Sequence, residues 1–238
     1  MNLTADQISD AAARLVSAEG NRDQIGLLTQ QYPDMDMDDA YGVQKGVVAH
    51  KISLGRKVIG WKIGLTSKAM QYALNIDIPD SGVLKAPISG ENVTRADVIA
   101  ATDYVTPSLE ILDTRIIRQD AATGQVRSVI DTISDNAANA GLVLGGERHA
   151  VDAFDLRWVG AITRRNGEVE ETGLGAGVLD DPVESVVWLA RRMSQYGQKI
   201  MPGDVILSGS FIRPVETMSG ALIEADFGPF GSVSCRFE

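Results

Sequence analysis

"KVIGWKIGLTS", residues 57–67, is where the pattern of this chain changes from helical to β. Upstream of it, apolar residues recur at helical spacing. Thr4 with Gln7 forms a capping-box pattern, Ile8, Ala12, Leu15 and Val16 follow, and Gly20 is the expected stop. A second helix is predicted from about Asp38 to Ile52, with Ala40, Val43, Val47 and Val48 on one face and Gly55 as its end. Within 57–67 the runs become short and β-rich and are broken by Gly60 and Gly64, as in a strand approached closely by another backbone.

Downstream the reading stays mixed. A third helix starts at Thr94, capped with Asp97, and ends before Pro107. Strands are predicted at 105–117, 141–145, 156–165, 204–211, 221–227 and 231–237, with a hairpin turn at Asn166-Gly167. One more helix runs from Pro182 to Tyr196, capped by Asp181 and stopped by Gly197. The fold class is therefore α+β. The expectation is a single domain over 1–238, with a helical N-terminal part over about 1–55 and a β-rich core over about 56–238.

Bulk properties exclude several function classes. The net charge of -10, with basic residues only in short pairs such as Arg164-Arg165 and Arg191-Arg192, argues against nucleic acid and anionic membranes as partners. No apolar run reaches membrane-span length, and "MNLTADQISDAAARL" lacks the pattern of a signal peptide. One cysteine, Cys235, gives no internal disulfide and fits a reducing compartment, so a cytoplasmic location is expected. His50 and His149 both read as surface residues, which leaves acid–base chemistry to carboxylates and lysines and makes any metal hard and oxygen-ligated.

Several residues stand out against that background. In "TPSLEILDTRI" (106–116), Glu110 puts an acid inside an apolar strand pattern, either on a solvated face or as a ligand. Lys62, between Trp61 and Ile63, must snorkel outward or pair with something inside. Asp80 in "IDIPDSG" suits a turn as well as catalysis, and "SDNAANAG" (134–141), with Asp135, Asn136 and Asn139, suits a closely approached polar loop or a plain turn. "TGLGAGVLDDP" has neither the spacing of a dinucleotide fingerprint nor the Lys-Ser/Thr of a phosphate loop, so a tight turn into the Pro182 helix is expected.

Taken in order, "GWKIGLTSKAM", "IPDSGVL", "TDYVTPSLEILDTRI", "DTISDNAANAGLVLGG", "ETGLGAGVLDDPVESVVWLA" and "GDVILSGSFIRPV" resemble the hydratase and decarboxylase branch of the fumarylacetoacetate hydrolase superfamily. The resemblance spans essentially the whole chain. It implies a mixed β-roll core, a homo-oligomer of many subunits, and a divalent metal, Mg²⁺ or Mn²⁺, on three glutamates. It implies addition of water to a 2-oxo-alkenoic diacid in aromatic catabolism, with decarboxylation of a 4-oxalocrotonate-type substrate as the alternative. Residue by residue, Glu110 matches one metal ligand, Lys62 the family lysine and Asp80 the family aspartate. Ser210 and Asn136 are candidate substrate contacts, and Arg213 is assigned to a distal carboxylate on charge alone.

The chain departs from the pattern at one place. In the family a segment carrying a Glu-x-Glu metal pair separates the "SGVL" turn from the "KAP…G" stretch, whereas here Leu84 adjoins Lys85. The expectation is that these 238 residues omit a segment of the protein. A genuine deletion would instead remove two of three ligands and favour a non-catalytic assembly partner.

Overall fold

The computed structural model describes residues 1–63 and 79–238, with side chains of 79–84 outside the description. Along the chain run α1 (Ala5–Asn21), α2 (Leu28–Gln31), α3 (Met37–Ser53), β1 (Gly60–Lys62) and β2 (Pro79–Leu84). Then come α4 (Arg95–Ala101), β3 (Thr102–Tyr104), β4 (Ser108–Leu112), α5 (Val129–Ser134) and β5 (Asn139–Leu144). The C-terminal part holds β6 (Gly160–Arg165), β7 (Glu168–Leu174), α6 (Pro182–Ser194), β8 (Val205–Gly209), β9 (Leu222–Asp226) and β10 (Ser232–Arg236). Two compact units divide these elements. One comprises Met1–Val58 and Glu110–Gly141, the other Ile59–Leu109 and Leu142–Glu238, so both boundaries after the first fall inside strands β4 and β5.

The first unit is helical. Its α1 begins with the expected box, Gln7 N–H donating to Thr4 Oγ1 (3.3 Å) and Thr4 N–H to Gln7 Oε1 (2.8 Å). Gly20 does not stop it; the helix runs to Asn21 and ends where Arg22 turns left-handed (φ 57°) and gives its N–H to the Ala18 and Glu19 carbonyls. Helix α3 begins at Met37, one residue before the expected start, because Asp36 caps it, boxed with Asp39. Asp39 is fully buried and also accepts the N–H groups of Asn2 and Leu3. The unit's core is Leu15, Leu27, Leu28, Val43, Val47 and Ile116, each removed from water. Burial of such a side chain contributes about 1.5–3 kcal/mol.

The second unit carries two four-stranded sheets, ordered β1-β8-β2-β3 and β10-β9-β6-β7. β1 runs parallel to β8, whereas β2 is antiparallel to both β8 and β3. Gly60 has the close approach its sequence setting predicts, since an added Cβ would lie 1.8 Å from the Val205 carbonyl oxygen. Helix α6 is capped by Asp181, which accepts from Val183 N–H (2.9 Å), with Pro182 at its first position. Its Val183, Val186, Val187, Ala190 and Met193 bury against a cluster that includes Ile63, Val98, Ile200 and Ile206. The β6–β7 hairpin turns through Asn166 (φ 53°) and Gly167 (φ 85°), both left-handed as a type I′ turn requires.

Three expectations are corrected here. The strand predicted over 105–117 is continuous only over Ser108–Leu112: Val105 and Ile116 form isolated bridges to His149 and Ile25, and the Arg115 N–H is taken by the Asp135 carboxylate (2.9 Å) instead of a neighbouring strand. The strand predicted from 156 begins at Gly160, after a 3-10 turn at Leu156–Trp158 in which Asp155 accepts from Arg157 N–H. His149 is not a surface loop residue: it exchanges backbone bonds with Val105 and packs its ring on Phe154 and Phe230, with Nε2 at 2.9 Å from the Phe230 carbonyl oxygen. His50 is exposed as expected. Gly64 and the motif residues 65–78 lie outside the described residues.

Candidate active site

In the second unit, β8 is the element around which candidates gather. Lys62 closes β1 in register with Leu207, and Asp80 lies on β2 in register with Ser208. The two thus sit on the strands flanking β8, at adjacent registers. Lys62 is half-buried, and of Asp80 only the backbone is described. Trp61 anchors the same strand by donating its indole N–H to Asp204 Oδ2 (2.9 Å). Just past β8, Ser210 forms a small turn in which its hydroxyl donates to the Ile212 carbonyl (2.9 Å). Arg213 is ion-paired with Glu171 of β7, so any distal carboxylate of a ligand would compete with that acid.

The glycine-rich run has the structural role expected of it. A Cβ on Gly173 would meet the Phe211 carbonyl oxygen at 2.2 Å, and one on Gly175 the Leu156 carbonyl oxygen at 2.0 Å. Close packing against neighbouring backbone accounts for both glycines.

In the first unit, Glu110 lies on β4 with its side chain exposed, on a solvated face of the strand. The Asn139 side-chain amide donates to Glu110 Oε1 at 2.9 Å. Asn139 follows a single turn, Asn136–Ala138, whose three residues are all left-handed (φ 49°, 50° and 59°). For Ala137 and Ala138 that conformation costs about 1–2 kcal/mol each, so something must hold them in it. Asn136, the candidate substrate contact, opens this turn.

A buried ion pair underlies the turn. Arg115 is 3% exposed and Asp135 1%. Arg115 Nε donates to Asp135 Oδ1 (2.6 Å), Nη2 to the Asp135 carbonyl (2.6 Å) and Nη1 to the Asn139 carbonyl (3.0 Å). Burial pushes the Asp135 carboxyl above the usual carboxylate range, against the pull of the Arg115 guanidinium and backbone N–H. The spacing in the sequence puts Asp135 and Asn139 in a polar loop or turn and Arg115 on the strand face opposite Glu110. An Arg whose strand alternation aims it away from an acid, followed by an Asp-Asn pair, was the available signal.

Among the described residues, no three His, Cys, Asp or Glu side chains converge on a cation position. Glu110 nevertheless supplies the right donor chemistry. Mg²⁺ keeps several waters and takes one or two carboxylates together with oxygens of the substrate, so a single braced carboxylate suits it when a chelating ligand completes the set. A carboxylate is a hard oxygen donor, which suits such an ion better than a soft one. No helix among the described residues is long and apolar enough to cross a membrane.

No family model matches the chain. It is 44% identical to the 2-oxo-hept-4-ene-1,7-dioate hydratase of Escherichia coli over 256 aligned residues, covering 95% of this chain and 96% of that protein. It is 36% identical to the 2-keto-4-pentenoate hydratase of Paraburkholderia xenovorans, covering 99% and 97%. Among solved structures, the 4-oxalocrotonate decarboxylase of Pseudomonas putida G7, complexed with magnesium and adipate, superposes with a TM-score of 0.90 at 32% identity over 100% of this chain and 99% of that one. The same decarboxylase with calcium and acetate gives 0.89. The E. coli alignment spans 256 positions but uses 95% of 238 residues, about 226, so about 30 positions of the relative face no residue here. Relatives this similar over this length fix the lineage: the chain belongs to the hydratase and decarboxylase branch of the fumarylacetoacetate hydrolase superfamily.

Proposed function

We propose that this protein is a hydro-lyase that adds water to a 2-oxo-alkenoic acid, with 2-oxohept-4-ene-1,7-dioate as substrate and 4-hydroxy-2-oxoheptanedioate as product, in aromatic catabolism. The observation that carries this reading is the 44% identity, over nearly the full length of both chains, to a hydratase named for that substrate. A divalent cation, Mg²⁺ or Mn²⁺, is the proposed cofactor, with Glu110 as one donor. When bound, it supplies charge to stabilise an enolate of the 2-oxo acid. Lys62 stabilises the developing oxyanion or relays a proton, and Asp80 acts as general acid and base or orients the water. Asn136 and Ser210 contact the substrate, and Arg213 takes its distal carboxylate from Glu171. We further infer a single catalytic domain, a cytoplasmic homo-oligomer of many subunits, and no nucleic-acid or membrane partner.

Replacing Lys62 with Ala tests the assignment directly. Turnover should be lost while the circular dichroism spectrum stays that of the wild type, and near-normal activity removes Lys62 from the chemistry. A second reading, 4-oxalocrotonate-type decarboxylation, is favoured by the 0.90 TM-score to that decarboxylase. Offering both substrates and measuring released CO₂ against hydrated product separates the two. The length deficit against the relatives supports a third, the non-catalytic assembly partner. That role would be indicated by an intact mass near 25.5 kDa together with no Mn²⁺ binding by calorimetry.

A further inference from the structure

We propose that Arg115 is a positioning residue that aims the Glu110 carboxylate by holding closed the left-handed Asn136–Ala138 turn; the proposal rests on the reading of Glu110 as the metal donor. Two local backbone bonds, Ala138 N–H to the Asp135 carbonyl (2.9 Å) and Asn139 N–H to the Asn136 carbonyl, close this turn but do not remove the cost of its left-handed alanines. Ala137 and Ala138 have no side-chain polar group to stabilise a backbone region that suits glycine, yet both occupy it. The hold comes from outside. The Arg115 guanidinium bonds Asp135 at the entrance of the turn and the Asn139 carbonyl at its exit, so one planar group ties both ends. The backbone adds two ties: Arg115 N–H to Asp135 Oδ2, and Asp113 N–H to the Ala138 carbonyl (2.9 Å).

The chain geometry then transmits this to Glu110. Arg115 follows Glu110 by five residues on the segment leaving β4, and Asn139 leaves the turn to begin β5. With the turn closed, the Asn139 amide donates to Glu110 Oε1 and fixes the plane of the carboxylate. A carboxylate offers about four lone-pair positions, so an amide on one oxygen restricts which directions serve a cation. A buried pair of this kind costs desolvation and is better understood as specifying geometry than as adding stability. Lysine, a compact point charge, cannot reproduce the fork that spans Asp135 and Asn139.

The test uses the full-length protein and Mn²⁺ as probe, with excess pyruvate present throughout as the chelating 2-oxo acid, and the variants Arg115→Lys, Asn139→Ala, their double variant and Glu110→Gln. Groups that orient a metal-binding side chain typically change affinity 10–100-fold. Arg115→Lys and Asn139→Ala should each weaken Mn²⁺ binding by about tenfold. If Arg115 acts through Asn139, the double variant should be no weaker than either single one. Losses that multiply, or unchanged affinity in Arg115→Lys, overturn the proposal; a residue that merely supports the fold would give multiplied losses. A second, metal-free readout is the Asn139 side-chain amide signal by NMR, identified by its disappearance in Asn139→Ala. It should move toward that of a solvent-exposed amide in Arg115→Lys and in the isosteric Asp135→Asn, the variant to rely on if Arg115→Lys folds poorly. An unmoved signal overturns the proposal whatever the metal does. Wild-type Mn²⁺ binding in Glu110→Gln would instead remove Glu110 as a metal donor, and the amide signal would still decide the role of Arg115.

Discussion

The two units bury different things. In the helical unit the buried set includes Asp39, Arg115, Asp131 and Asp135, all at 3% exposure or less. In the sheet-bearing unit the buried polar residues are hydroxyls, Thr102, Thr106, Thr163, Ser185 and Ser208, with the N-cap Asp181 as the one acid among the described residues. Asp131 shows the contrast most sharply. It accepts from Thr29 N–H (2.9 Å) and hydroxyl (2.8 Å), and from Ser128 N–H (2.9 Å) and hydroxyl (2.8 Å). One carboxylate thus joins α2 to the cap of α5 across 102 residues of sequence. The helical unit is specified by directional bonds to a few acids, and the other by volume and register. Directional bonds fix where a side chain such as Glu110 points, whereas apolar packing fixes only that it is excluded from water.

The sharpest way to break this contrast is Asp131→Ala. It strands two backbone and two hydroxyl donors inside the first unit and should cost about 4 kcal/mol. All three tryptophans, Trp61, Trp158 and Trp188, belong to the second unit. Urea unfolding followed by far-ultraviolet dichroism should therefore shift more than unfolding followed by tryptophan fluorescence. Coincident shifts would erase the distinction and make the chain one cooperative unit.

Ile206→Ala comes next. Ile206 is 1% exposed in the β8 core, and its truncation should cost about 3 kcal/mol through lost burial and a residual cavity. The larger shift is expected in fluorescence this time. A loss under about 1 kcal/mol would mean that the cluster collapses freely and does not set the register.

The smallest effect is a pH dependence. Hydrogen bonds from the Thr94 hydroxyl and backbone hold the Asp97 carboxyl below its ordinary range. The folded value lies below the unfolded one, so the contribution is complete above about pH 4 and is lost as pH falls through the lowered value. Thermal midpoints of the wild type and Asp97→Asn should differ at neutral pH and converge in acid. A constant difference across that range would assign the cap to something other than the charge of Asp97.

What could be read from the sequence was local. Thr4 with Gln7, Thr94 with Asp97, Asn166-Gly167 and Asp181-Pro182 each act through partners within three residues, and the structure places each as expected. Gly20 misleads because the end of α1 is set by Arg22 finding carbonyls behind it, not by the glycine. The strand over 105–117 breaks early because the Arg115 partner lies 20 residues away, and the His149 ring meets a carbonyl 81 residues away. The left-handed alanines carry no sequence signature at all: their conformation belongs to the bonds around them. Of the site, Glu110, Lys62 and Asp80 stood out as residues, but the brace behind Glu110 needed the fold.

The helical unit is also split in sequence, since residues 59–109 of the other unit intervene between its two parts. During synthesis, Leu28 and Val43 emerge long before Ile116 and Asp131, the residues that complete their surroundings. At about 5–20 residues per second, the interval is on the order of 5–20 seconds. For that time the cluster that α1 and α3 build with each other lacks Ile116, Ile130 and Ile133, and a chaperone that recognises exposed apolar side chains would find its target on that unfinished side, in the first quarter of the chain.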